Sequence, residues 1–489
     1  MSLTSLLSIA RSALVAHERA VSVVGHNIAN AETPGYTRQR LQITQASAER
    51  TAFGQVGRGV DIVGVDRLRS AFYDQSWRRE TGLEARYQSL SASLDQAEAI
   101  VGGLDDTGIG ASIDDLIDAF NALAGNPTDP TARALVGSAA TALVDSFHVT
   151  DSRLDGLASS IGTELSATVD EVNTLVTQID QLNNQIRAAN GQAPDLLDRR
   201  DRIVDQLAQL IDVRVTDRGQ GAVDVTVSGL QLVSAGGGAQ TLSVTGSGPY
   251  ALQVGNPPVG ITTSGGKIRG LQDAAAAIGA KGTSLTRATG LRGQLDDLAL
   301  AVVSAVNEIH SDYDPVTKAL QPTLTPAPSP LRVVGAFFDP NGVTAASIDL
   351  DAAIKADPTQ IAAGYSTAPG DNSIVLRLAS LRSLVVPVPG TTAGTPSSPA
   401  VTPGASVILG DAFGSIASSL AVATASAGDR ASSQGILTQH LESQRQQVQG
   451  VSIDEEMVQL IEHQQAYAAA ARLVGIADEM LRELINLGR

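Results

Sequence analysis

The chain has 489 residues, a net charge of −17, 43% hydrophobic residues, only 3% aromatics and no cysteine. So acidic a chain repels phosphate, which argues against nucleic acid and anionic membranes as partners; the missing thiols exclude disulfide staples and cysteine-held zinc. The core must be aliphatic, and at roughly 150 residues per domain there is room for about three domains.

The first 28 residues carry a heptad stripe. Leu3, Leu7, Ala10, Leu14, His17, Val21, Val24 and Ile28 recur at steps of 4 and 3, which places them on one helix face. No apolar run approaches the ~20 residues of a bilayer-spanning helix, so no membrane insertion is expected. Arg11, His17, Glu18 and Arg19 interrupt the stretch, and the basic region and cleavage site of a secretory signal are missing. The helix stops at "NIANAETPGYTRQR", residues 27–40. Asn30 suits a left-handed helix end. Pro34 and Gly35 suit a type II turn, and Asn27 and Asn30 share a face from which their amides can reach a neighbouring backbone.

Residues 40–66 alternate β-branched and polar positions around Gly54, Gly57 and Gly59, which predicts short strands. Residues 70–212 read as helices broken at Gly102-Gly103, at Gly125-Asn126-Pro127 and between Gly191 and Pro194. The longest spans about Thr131–Asn190, with Val169, Val172, Val176, Ile179, Leu182 and Ile186 as its stripe. "DLLDRRDRIVDQL", residues 195–207, reads as a helix face laced with ion pairs four residues apart. Residues 213–270 alternate like strands, 283–311 return to helix, and 405–449 form another long helix. Between these, "QPTLTPAPSP" at 321–330 and the Pro/Thr-rich run 385–404 read as outward loops or edges. At the C-terminus Ser452-Ile453-Asp454-Glu455 is a helix-starting cap pattern. Met457, Leu460, Gln464, Tyr467, Ala471 and Val474 follow at helical steps, and after a one-residue slip Ala477, Leu481 and Leu484 continue the stripe.

Two striped helices at opposite ends of one chain can satisfy each other, and each alone is marginal in water. The expectation is an α+β multidomain fold. Its inner domain is a coiled-coil pair of terminal helices, residues 1–36 with 452–489. A long-helix bundle takes 37–212, 271–312 and 405–451, with short strands at its start. A β-rich insertion takes 213–270, and a β- or loop-rich outer insertion takes 313–404.

Catalytic constellations are missing. None of the six histidines has a second histidine at helical metal-ligand spacing. His310, near Asp312 and Asp314, reads as a solvated helix end. "GQVGRG" reverses the spacing of a dinucleotide fingerprint, no phosphate-loop or nucleophile-elbow motif occurs, and "DLDAA" at 349–353 lacks most ligands of a calcium loop. Neither enzymatic activity nor a cofactor is expected.

"GHNIANAETPGYTRQR" resembles the N-terminal signature of the bacterial flagellar axial proteins, the family of rod, hook and hook-associated proteins. The shared core falls on Asn27, Ile28, Ala29, Asn30, Thr33, Pro34, Gly35 and Tyr36. "GRGVDIVGVDRLRSAFYDQSWRRE", residues 57–80, is similar to the family's following segment. Within the family, "SLLSIARSAL", "LLDRRDRIVDQL" and the last 38 residues look like the member that joins hook to filament.

The resemblance implies a ring of self copies around an export channel, with Leu3, Leu7, Leu14, Val21, Val24 and Ile28 seamed to Met457, Leu460, Tyr467, Val474, Leu481 and Leu484. It implies the flagellar hook protein, a second junction protein (hook-associated protein 3) and a dedicated cytoplasmic export chaperone as partners. It implies export without a cleaved signal to an extracellular position on the flagellum. The cysteine-free composition suits a chain that leaves the cell unfolded. The other readings are a hook or distal-rod axial protein, a secreted coiled-coil effector, or an export chaperone.

Overall fold

The computed structural model describes residues 3–51, 54–102, 108–246, 248–280, 289–311, 313–314, 319–320, 335–366, 368–383, 385–387 and 406–487. Helix α1 (Leu3–Ala29) leads into the antiparallel strands β1 (Gln39–Gln45), β2 (Glu49–Thr51), β3 (Gly54–Val56) and β4 (Val60–Arg67), in which β1 pairs with β4 and β2 with β3. The connection at Gly59 seats on α1. Gly59 has φ +101°, and a Cβ there would lie 3.2 Å from the Ile9 Cα and overlap the Ser12 hydroxyl, so only glycine fits.

The helical middle follows as α2 (Ala71–Gly102), α3 (Ile109–Gly125), α4 (Pro130–Ala188) and α5 (Pro194–Leu210). Their breaks fall where glycine and proline mark them. At 59 residues α4 is the longest element, about 88 Å at 1.5 Å per residue. The Asp129 side chain caps it by accepting from Thr131 N, with Pro130 in the first turn, where a missing N–H costs nothing. Its predicted stripe, Val169 to Ile186, is buried.

Strands β5 (Arg214–Asp217), β6 (Val223–Val227) and β7 (Leu230–Val233) form one antiparallel sheet; β8 (Leu242–Thr245), β9 (Ala251–Val254) and β10 (Val259–Ile261) form another. These sheets do not stand off from the helices as an outward insertion. Val223, Val225, Leu232 and Val233 are buried in the same hydrophobic cluster as Val176 and Leu207. Asn183 and Asn173 of α4 bind the backbone of Val223 and Leu242.

Helices α6 (Lys267–Ile278) and α7 (Gly290–Ser311) precede the short strands β11 (Tyr313–Asp314) and β12 (Ala319–Leu320). The segment expected as an outer insertion, 313–404, is different over 335–383. It carries two short helices, α8 (Ala352–Ala356) and α9 (Ser373–Ala379), and packs inward. Phe337, Phe338, Ile348, Ile361, Ile374 and Leu378 are fully buried, with Phe337 edge-on to Phe120 of α3 at 5.6 Å. The reason is apolar content. The aromatic pair and these four aliphatics gain more from the helical core than from water.

His310 corrects a second expectation. It is buried rather than solvated: its Nδ1 meets Gly335 O at 2.8 Å, and Ala362 N donates to its Nε2 at 3.0 Å. It pins the inward segment to α7. The 321–330 stretch lies outside the described residues. Strands β13 (Val385–Pro387) and β14 (Ser406–Ile408) pair ahead of α10 (Leu409–Gln449), which lies along α2, and of α11 (Ile453–Leu487), which lies along α1. No helix among the described residues is long and apolar enough to cross a membrane.

Candidate functional site

Helices α1 and α11 run antiparallel. Asn27 meets Glu456 at one end, His17 meets His463 midway, and Leu7 shares a groove with Leu481 at the other. Their contact runs through small residues, with Ala10, Ala16, Ala20 and Val24 of α1 and Ala470 and Ala477 of α11 buried. The anticipated stripe shares Ala10, Val24 and Ala477 with this line and is otherwise rotated about one residue from it. Val24 is buried; Leu7, Leu14, Val21 and Ile28 are half-buried, as are Leu460 and Val474. Met457, Tyr467 and Leu481 are exposed. The side chains of Leu3 and Leu484 lie outside the described residues. Alanines let two helix axes approach closely, so the larger residues flank the contact.

Helix α11 leaves several large apolar side chains exposed, interleaved with the exposed charges of Glu462, Arg472, Glu479 and Glu483. Val458 is 57% exposed, Ile461 50%, Ile476 49%, Met480 47% and Ile485 60%. Helix α1 shows water mainly Arg11, Glu18, Arg19, Ser22 and His26, with Val15 the large apolar exception.

The signature turn sits where this pair meets the helical middle. Asn27 is fully buried and its whole amide is used. Its Oδ1 accepts from Gln39 N (3.0 Å) and from the Tyr36 hydroxyl (2.8 Å), and its Nδ2 donates to Gln39 O (2.9 Å) and to Glu456 Oε2 (2.9 Å). Asn30 does not take the left-handed conformation; its Nδ2 donates back to His26 O at 3.0 Å, and its own N–H also reaches that carbonyl. Thr33, Pro34 and Gly35 form the type II turn. Tyr36 N donates to Thr33 O at 3.1 Å, and Gly35 has φ +74°. Burial, reinforced by Asp198, Asp195 and Glu456, raises the Tyr36 pKa far above its ordinary value, so its hydroxyl stays a donor.

Beneath the turn lies an ion-pair lattice that no short motif reveals. Asp198, Asp201 and Asp205 occupy one face of α5 at steps of 3 and 4. Within their own helix only the adjacent Arg200 reaches Asp201, at 2.8 Å; the pairs four residues apart that the spacing suggests do not form among the described residues. Arg67, at the end of β4, donates to Asp198 (2.7 Å) and Asp201 (2.9 Å), and Arg69 reaches Asp201 and Asp74. Arg78 of α2 reaches Asp205 at 2.6 Å. Arg445 of α10 reaches Asp205 and Asp74, and its guanidinium lies 4.8 Å from the centre of the Trp77 ring.

Burial would raise the Asp201 carboxyl, yet Arg200, Arg69, Arg67 and Arg78 hold it well below the usual carboxylate range. Asp74 is held low against its burial by Arg69, Arg445 and Gln449. Two bonds close the joint from the terminal side: Arg38 Nε donates to Glu456 Oε1 at 2.6 Å, and Thr37 N donates to Asp198 Oδ2 at 3.1 Å. Glu456 is completely buried, so it must keep both partners. An adjoining cleft of about 780 Å³ is lined by the turn, α5 and the α10–α11 connection.

The arrangement is mechanical. It locks the terminal helix pair, the β1–β4 hairpin, α2, α5 and α10 into one polar joint. Among the described residues no three histidine, aspartate or glutamate side chains converge as metal ligands.

Comparison with known proteins agrees with this architecture. Residues 94–314 match the family model of the flagellar hook-associated protein FlgK helical domain. Residues 442–487 match the flagellar basal body rod FlgEFG protein C-terminal model, and residues 7–37 the flagella basal body rod protein model. Flagellar hook-associated protein 1 of Bacillus subtilis is 27% identical over 98% of this chain and 97% of its own length. Its counterpart in Escherichia coli is 31% identical over 50% of this chain and 46% of its own length. The solved structure of the flagellar hook junction protein FlgK from Burkholderia pseudomallei shares the fold, with a TM-score of 0.58 at 15% identity, over 77% of this chain and all of that one. With its helical domain and both ends matched and a relative similar over nearly its whole length, the chain is similar from end to end to flagellar hook-associated protein 1.

Proposed function

We propose that the chain is a structural adaptor of the bacterial flagellum, assembled as a ring of its own copies between hook and filament. The observation that carries this reading is the large apolar side chains that α11 leaves exposed. Five large apolar side chains between Val458 and Ile485 are exposed in the single chain, and so much exposed apolar surface on one terminal helix marks a surface made to be covered. The polar joint supports it, because a rigid link between terminal helices and helical middle transmits force between neighbours. The helical-domain match over 94–314 favours the junction protein over hook or rod members, whose models match only the ends.

On this reading α1 and α11 stand around the export channel. Leu7, Leu14, Val21, Met457, Tyr467 and Leu481 serve contacts between copies beside the alanine line within each copy. The hook protein lies on one side and hook-associated protein 3 on the other, and a cytoplasmic chaperone holds the chain before export. The absence of cysteine supports passage in an unfolded state through the flagellar export apparatus.

The test is Ile461→Asp. It places a charge at a half-exposed position of α11, away from the buried alanine line. The variant is expected to be secreted and to keep the circular dichroism of the parent, yet to leave cells with hooks and no filaments and with flagellin in the medium. Normal filaments on the mutant hooks would refute the reading.

A further inference from the structure

His17 and His463 face each other across the α1–α11 contact. Their Nδ1 atoms are 3.4 Å apart, and their ring centroids lie 5.5 Å apart with the planes tilted by 40°. Each is half-buried, and among the described residues neither has another hydrogen-bonding or ionic partner.

The surroundings supply no counter-charge. One turn away on α1 are Leu14 and Val21, and on α11 Leu460 and Tyr467. The nearest charges along the helices, Glu18, Arg19 and Glu462, are exposed. Arg11 and the hairpin's Asp61 line a groove toward the far end of the pair. The hairpin's Arg67 is held by Asp198 and Asp201, while Arg40 and Asp66 belong to the same β1–β4 ladder. Glu456 is committed to Asn27 and Arg38.

With both rings neutral, or with one charged, an N–H of one donates to the lone pair of the other. With both charged, two N–H groups and two positive charges point at each other with no acceptor between them. Burial, and then the facing His463, lower the pKa of His17 below the ordinary 6.5. The paired state therefore favours neutral imidazole, so its stability is fully present above that value and declines as pH falls below it.

We propose that the His17–His463 pair is a proton-operated latch between the terminal helices, closed while at least one ring is neutral and released when both are charged. In a ring of copies the latch repeats in every subunit, so acid would loosen the whole inner wall; that consequence alone rests on the assembly reading. The latch itself is tested on the free full-length chain, where failure of the assembly reading has no bearing.

Because the chain has no cysteine, Ser22→Cys and Gln465→Cys, both exposed, can carry spin labels as its only thiols. Pulsed dipolar spectroscopy should give one narrow distance well above neutrality. A longer, broad component should grow in with a midpoint between about pH 5 and pH 6.5. His17→Gln and His463→Gln, singly or together, should stay narrow across that range, because two facing charges can no longer form. An unchanged parent distance down to about pH 5, a broad parent distance already at alkaline pH, or equal opening in the glutamine variants would each overturn the latch.

Discussion

Asn27 shows why an asparagine and not merely a helix stop stands in the signature. It makes four hydrogen bonds at a sharp change of chain direction, two to the Gln39 backbone and two to the side chains of Tyr36 and Glu456, and each stranded partner of a truncated side chain costs about 1–3 kcal/mol. Asn27→Ala is therefore expected to lower the hydrogen-exchange protection of the Gln39 amide by at least about 2 kcal/mol, while protection within α4 is unchanged. Equal protection in the variant and the parent would contradict the assignment. Gly35 is constrained twice, by φ +74° and by Arg202 Nε lying 2.9 Å from where a Cβ would sit. The turn itself was legible in the sequence, since Pro34-Gly35 dictates it. The bond of Asn27 to Glu456 was not, because that residue is 429 positions away.

At the scale of elements, helix breaks were written in glycine and proline, and α2 to α4 end where those residues predict. The pairings of α5 were not. A local rule connects Asp198 to Arg202 along the helix, but the carboxylates face inward, where arginines of β4, α2 and α10 satisfy them. Burial decides the outcome: an inward carboxylate left without a charged partner costs about 3–5 kcal/mol.

The sign of the resulting pH dependence follows from the depressed pKa values of Asp201 and Asp74. Their stabilisation is fully present above the ordinary 3.8 and is lost as pH falls through the lower folded values. The only tryptophan of the chain, Trp77, lies under Arg445 in this joint, so its fluorescence reports the joint directly. Emission should hold constant from neutral pH to about pH 5 and change below about pH 4. Asp201→Asn should show the acid-type emission at neutral pH. A neutral-pH spectrum matching the parent would mean the lattice does not hold the joint.

For the whole molecule, the pairing of the chain ends was legible because each helix alone presents an unsatisfied stripe. The inward fold of 335–383 was not, since Pro-rich flanks dominate its local pattern and Phe337 and Phe338 find their partners only across the core. The exact rotation of α1 on α11 was hidden too. Alanine and leucine both satisfy a heptad, and only packing chooses between them. That choice leaves the single chain with a polar exposed side on α1 and exposed large apolar side chains on α11, an asymmetry suited to repeated head-to-side contacts around an axis.

The most direct measurement is an electron-microscopy reconstruction of the isolated hook–filament joint that resolves this chain. The account predicts that Val458, Ile461, Ile476, Met480 and Ile485 of each copy are buried against a neighbouring copy, with Asn27 still bound to Glu456. A ring in which those side chains of α11 are bathed in solvent would contradict it.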